Sequence, residues 1–486
     1  MKANQLVWAL LLAGMTAVKL PAQTLQTLVS FNGTNGANPY AALTIGSDGN
    51  FYGTTIYGGI TNASYPSGMG TVFKVTTNGA LTTLVSFANT NGAYPETSLT
   101  PGDDGNFYGT TANGGITNST NPNGFGTLFK VTTNGELTTL VFFNAITYPN
   151  GLTLGNDGSF YGTTSEGGIT NTTNPNCFGT VFKVTTNGEL TTLVSFANTN
   201  GAQPVAALTL GNDGNFYGTT ANGGITNTTN PYGIFGTVFK VTTNGTLTTL
   251  VSFNGTNGAS PFGSLTLGKN GNFYGTTTSG LYVSGLGFGT VFCITTNGIL
   301  TTLVSFNGSN GEGPEAALML GSDGNYYSTT EYGGNTNLND GFGYGTLFKV
   351  TTNGVLSTLI SFDGNNGEQM TAGLTPGNDG NFYGVTAGGG SYGNGTVFRL
   401  SLTPIIPPTL TMQFWAGYPL LSMYGTLGDT YTVEYTTNLS APNWTPMLIV
   451  PNLSISPFQM IDPVGIGQPA RFYRAVQSSE FTGQHN

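Results

Sequence analysis

One block recurs seven times along this chain, and that self-similarity limits the fold more than any other feature. The segment LTLGNDGNFYGTT at 208–220 returns with small changes, its acidic turn position at Asp48, Asp104, Asp157, Asp213, Asn270, Asp323 and Asp379. A second segment, GTVFKVTTNG, recurs in step, with its Phe at 73, 129, 182, 239, 292, 348 and 398. A third, LTTLVSF, ends at Phe31, Phe87, Phe143, Phe196, Phe253, Phe306 and Phe362.

Each unit reads as four strands. LTLG passes through an Asp-Gly turn into NFYGTT, a longer loop leads to GTVFKVT, and an Asn-Gly turn leads to LTTLVSF. Both turns favour tight hairpins, because their central residues need positive φ. Four antiparallel strands in a unit of this length match a propeller blade. The segment TLQTLVSF at 24–31 is a fourth strand with no unit before it, while the last unit stops after GTVFRL at 395–400. One end supplies the strand that the other lacks, which predicts a closed ring without a free sheet edge. The expected fold is all-β: a seven-bladed β-propeller closed by an N-terminal strand, followed by a small β-sandwich. The repeated Phe residues are expected to pack between blades.

Composition narrows the function classes. Only 7% of residues are charged, the net charge is −10, and the 11 Lys and Arg form no cluster. A phosphate backbone needs a basic stripe, so nucleic acid is a poor partner. The single His is His485, which removes His-based catalysis and His-ligated metal from the core. Residues 1–22 read as a signal peptide: Lys2, an apolar run from Leu6 to Val18, and Ala22 before the cut. The apolar run is too short for a retained membrane anchor, so secretion or cell-surface display is expected, with no integral membrane segment in the mature chain. The propeller then spans 23–402, a Pro-rich linker 403–409, the sandwich 410–478 and a disordered tail 479–486. Cys177 and Cys293 occupy non-equivalent repeat positions, and two separate thiols are expected.

The recurring DGNFYGTT and GTVFK blocks, with LTTLVSF between them, resemble the GloVer tandem repeats of bacterial exported proteins across residues 24–400. The tail TYTVEYTTNL…NWTPM…ARFYRAV is similar to C-terminal modules of other exported proteins of such bacteria. These resemblances imply a fold and an extracellular location rather than an activity.

Candidate sites follow from comparing the units. Asp-Gly turns invite a structural Ca2+, best at Asp103–Asp104, but each brings one or two carboxylates where a calcium loop uses six to eight oxygens. No cofactor is expected. Units with the turn Asp also carry a third-strand cation, as in Asp48 with Lys74 and Asp213 with Lys240. The fifth unit has Asn270 and Cys293 instead, so the two charges are expected to form structural ion pairs.

The long loops on one side of the ring should carry function. They offer Tyr40, Tyr57, Tyr94, Tyr148, Tyr232, Phe262 and Tyr332, with Tyr65, Tyr282 and Tyr392, among many Asn and Thr. Aromatic faces beside amides and hydroxyls suit a neutral glycan; the plainer alternative is that these loops pack on themselves. Glu96, Glu166, Glu315, Glu331 and Asp340 lie on the same side, and a glycosidase would need two of them roughly 5 to 9 Å apart. The expected function is therefore a monomeric, exported, non-catalytic binding or adhesion module for an extracellular glycan or surface protein. An extracellular carbohydrate-active hydrolase using two loop carboxylates is the alternative.

Overall fold

The structure, a computed structural model, describes residues 23–117, 121, 123–144, 147–169, 177–225, 235–280, 287–402, 409–416, 418–424, 431–440, 442–450, 457–464 and 471–477. The expected signal peptide at 1–22, linker residues 403–408 and the tail at 479–486 lie outside the described residues. The chain forms two compact units, one of them Gln23–Leu402 and the other including the segment from Thr403 onward. Among the described residues, no helix is long and apolar enough to cross a membrane.

The described residues of the larger unit form seven four-stranded antiparallel sheets. In six of them the strands follow chain order, as in Thr209–Leu210, Phe216–Thr220, Thr237–Val241 and Leu247–Ser252. The seventh takes Thr375–Pro376, Phe382–Thr386 and Thr396–Leu402, and its fourth strand is Gln23–Ser30. In that pairing Gln23 faces Leu402 and Ser30 faces Thr396.

The repeated residues explain these strands. FYGTT is buried throughout, and in TVFKV only the Lys is not. Gly53 faces Phe73 across the ladder, and a Cβ there would sit 2.5 Å from the Phe73 ring. The glycine makes room for the ring. In the fourth strand Val72 faces Val85 while Phe73 faces Thr83, so Leu84 is an extra residue. The same bulge recurs in all seven sheets, at Leu28 in the N-terminal strand. A bulge strengthens local twist, and the extra leucines pack at the cores between sheets. Gly79, at φ 88, closes the Asn-Gly turn against the Leu28 carbonyl of the neighbouring sheet.

Seven buried clusters join successive sheets, and the cluster holding Phe31, Phe51, Phe73 and Tyr383 joins the seventh to the first. A tyrosine from the second strand of each sheet lies against an aromatic of the next. The series runs from Tyr52 on Phe107 to Tyr383 on Phe51, with ring centroids 4.1–5.0 Å apart. The repeated Phe residues also meet in pairs, from Phe31–Phe73 to Phe362–Phe398. Burying each such ring contributes roughly 1.5–3 kcal/mol. Hydrogen bonds follow the same seams. Thr44 Oγ1 donates to the Leu99 carbonyl of the next sheet at 2.6 Å, and Thr100, Thr153, Thr209, Thr266 and Thr375 repeat the bond. The sixth unit has Met319 at this position and lacks the hydroxyl.

The smaller unit contains two three-stranded sheets among its described residues. One joins Thr409–Trp415, Tyr418–Tyr424 and Phe458–Ile461; the other joins Thr445–Val450, Tyr431–Thr436 and Phe472–Gln477. They share one core around Leu421, Met423, Tyr431 and Val433. Buried Asp462 accepts from Arg471 and Tyr473, and the Arg471 guanidinium lies 4.0 Å from the Tyr435 ring centroid.

The seam hydrogen bond is testable by an isosteric change. Thr209→Val keeps the shape and removes the donor to Leu265, with an expected loss of about 1 kcal/mol. A urea melt should show a lower midpoint with an unchanged m value.

Candidate ligand-binding site

A cavity of about 730 Å³ lies along the segments that lead into the first strands of the sheets, and all seven repeat units line it. Two positions of the repeat account for much of its wall. The residue before the repeated leucine is never larger than serine: Ala42, Ser98, Gly151, Ala207, Ser264, Ala317 and Gly373, all lining residues. The residue after the loop proline, or after Met370 in the seventh unit, varies freely: Tyr40, Glu96, Asn150, Val205, Phe262, Glu315 and Thr371. All seven of these also line the cavity. The variable level lies toward the long loops, two residues before the small one in six units and one residue before it in the third.

The candidate aromatics fall at three repeat positions. Tyr40 and Phe262 follow the proline and line the cavity. Tyr94 and Tyr148 precede it, at positive φ, where a bulky side chain is strained. Tyr148 lines the cavity, whereas Tyr94 packs edge-on against Tyr57 at 5.6 Å. Tyr57 and Tyr332 share the third position, and Tyr332 meets Phe342 at 6.3 Å. Tyr65 packs against the cluster between the first two sheets, and Tyr392 is exposed. Tyr232 and Tyr282 lie outside the described residues. Loop self-packing thus accounts for Tyr57, Tyr65, Tyr94 and Tyr332, while Tyr40, Tyr148 and Phe262 face the cavity.

The acids separate in the same way. Glu96 and Glu315 line the cavity, and the Tyr40 hydroxyl donates to Glu315 Oε2 at 3.4 Å. The Tyr40 phenol is pushed well above its ordinary value, first by burial and then by Glu315, Glu331 and Glu96. Three of the candidate carboxylates therefore act on one hydroxyl, and Glu315 alone of them accepts from it. Burial, and then repulsion from Glu331, raise the Glu315 carboxyl to about 7. Burial also raises Glu96 and Glu331. Glu312, which the sequence reading missed, is raised by burial and by Glu331. Glu166 instead acts on Cys177. The side chain of Asp340 lies outside the described part, and Cys177 and Cys293 are not joined by a disulfide.

At the Asp-Gly turns the carboxylate has a partner that the unit comparison overlooked. In all six Asp units its Oδ2 accepts from the tyrosine hydroxyl four residues on, at 2.7–3.0 Å. Lysine joins in three of them. Lys74 Nζ lies 2.8 Å from Asp48, Lys183 2.7 Å from Asp157, and Lys240 2.8 Å from Asp213. Arg399 donates instead to Gln26 of the N-terminal strand. In the fifth unit the hydrogen bond reverses, and Asn270 Nδ2 donates to the Tyr274 hydroxyl at 3.0 Å. Burial pushes the Asp213 carboxyl up, but hydrogen bonds from Lys240, Asn215 and Tyr217 outweigh it and hold it below its ordinary value. At Asp104 the acceptor sites serve Asn106 and Tyr108. Among the described residues, no group of three or more acidic, His or Cys side chains is placed to hold a metal.

Two measurements follow. Glu315 should titrate near 7 by carboxyl NMR, and Glu331→Gln should lower that value without restoring the ordinary one, because burial is the larger cause. A raised carboxyl pKa stabilises the fold only while protonated, so its contribution should fall as pH rises from about 4.5 to about 7. For the turns, a double-mutant cycle on Asp213 and Lys240 should give a coupling of about 0.2–1 kcal/mol, as expected of a half-exposed pair.

A family model described as the Gloeobacter/Verrucomicrobia repeat matches residues 15–174, 115–338 and 225–412. No curated protein matches the chain. Among solved structures, virginiamycin B lyase from Staphylococcus aureus is similar at 16% identity and a TM-score of 0.51, covering 78% of this chain and all of the lyase. The polysaccharide lyase Uly1 is similar at 11% identity and a TM-score of 0.44, over 76% of this chain and 91% of the lyase. At the identity of the first, the likeness shows a β-propeller-like fold alone.

Proposed function

The chain belongs to the Gloeobacter/Verrucomicrobia repeat family, and we propose that its repeats form a seven-bladed β-propeller that binds a neutral, hydroxyl-rich ligand such as a glycan. The propeller is closed by its N-terminal strand, exported and non-catalytic, and the C-terminal sandwich extends or attaches it. Closure is supported by the ladder between Gln23–Ser30 and Thr396–Leu402 and by Tyr383 packing on Phe51. Export rests on the charge and apolar pattern of residues 1–22.

One observation carries the binding reading. In a repeat that otherwise changes little, the position after the proline (after Met370 in the seventh unit) takes six residue types in seven units, and all seven of its residues line one cavity. Scaffold positions are held by packing; a position free to vary around a cavity is where selectivity is written. Tyr40 and Phe262 supply aromatic faces there, Asn150 and Thr371 supply amide and hydroxyl groups, and Glu96 and Glu315 accept from hydroxyls.

The raised Glu315 carboxyl favours a second reading, a hydrolase with Glu315 as general acid. Such an enzyme also needs an ionised partner. Burial shifts Glu96 and Glu331 in the same direction as Glu315, so the three environments do not push an acid and a base apart.

Screening the mature chain on a glycan array should find a retained neutral glycan. Tyr40→Ala and Phe262→Ala should each weaken it at least tenfold, about 1.4 kcal/mol. No retained glycan, or variants that bind as the parent does, sinks the binding reading. Release of sugar by the parent but not by Glu315→Gln establishes the hydrolase instead.

A further inference from the structure

We infer that the cavity receives the end of a glycan chain, and not the middle of a chain lying across the surface. This rests on the cavity being the glycan site, and adds which part of the polymer it takes.

The walls carry the argument. A surface groove is bounded on two sides and open along its length, so a long polymer can lie through it. Here both the variable and the small level are lined by residues from all seven repeat units. No side is left open at either level. A chain lying across the rim would meet Tyr40, Phe262 and their counterparts without reaching Ala207 or Ala317 below. Only a free end can pass down the strand direction to the small residues.

The small residues explain how the room is kept. A Cβ on Gly151 would lie 2.8 Å from the Ala207 Cβ, so neighbouring walls already touch at this level. A larger residue there finds no room between neighbouring units. The small level thus sets how far a chain end descends, while the variable level above it reads the sugar that follows.

The test is titration calorimetry of the full mature chain with linear neutral oligosaccharides of four to twelve hexoses, in α-1,4, β-1,3 and β-1,4 linkages. Cyclic α-1,4 and β-1,3 glucans, which have no end, complete the set. End capture predicts one protein per linear chain at every length, molar affinity constant within about threefold, and at least a tenfold loss for the cyclic forms. Ala207→Phe and Ser264→Phe should each block the shaft and lower linear-chain affinity at least tenfold; a variant is counted only if its melting curve matches the parent's. Stoichiometry that rises with chain length, or cyclic glucans that bind as well as linear ones, overturns end capture and leaves the glycan reading standing. Failure of every sugar to bind overturns both.

Discussion

The seam between neighbouring sheets is the constraint on which everything else in this protein depends. Each four-stranded sheet is small, and its second strand is buried on both faces, so it has no stable existence alone. At every seam a tyrosine lies against the next sheet's aromatic ring. At six of the seven, a threonine hydroxyl also reaches the next sheet's leucine carbonyl. The ring contact supplies burial without direction, and the hydrogen bond supplies direction with little net energy. Together they set the angle and height at which one sheet follows another. Because the first strands sit at that seam, the same contacts decide which residues surround the cavity.

The Asp-Gly turns lock the outer end of the stacked tyrosine. Its hydroxyl would be costly to bury unpaired, and the turn carboxylate accepts from it in every Asp unit. Lysine is an accessory to that bond, present in three units, which explains why its loss in the fifth is tolerated. There the amide of Asn270 donates to a hydroxyl that elsewhere acts as donor. Asp and Lys vanish together in the fifth unit, which marks them as partners in the sequence; the tyrosine leaves no such mark, because all seven units carry it, Tyr274 included.

The candidate site was legible in part. Tyr40, Phe262, Glu96 and Glu315 were all visible as loop residues, yet their shared repeat position was not. The third unit is one residue shorter between its proline and Leu152, which throws the column out of step when units are aligned on the leucine. Aligned on the proline, the column is complete. Chemistry hides it as well: Tyr, Glu, Asn, Val, Phe, Glu and Thr share no property except their place. Glu331 acts on Glu315 and on Glu312 from a different part of their unit, and only folding brings that electrostatic influence to bear.

The sequence alone determined the number of units, their four strands, the turns between them and the aromatic residues of the seams. These follow from local chemistry: strand periodicity, Asn-Gly and Asp-Gly turns, and apolar residues repeated in phase. Tertiary structure alone decided that seven small residues and seven variable ones surround one cavity, and that three carboxyl groups act on the Tyr40 hydroxyl. Convergence of that kind depends on how each sheet is rotated against the next, an angle set by bulges and side-chain packing summed over seven seams. No single repeat contains it.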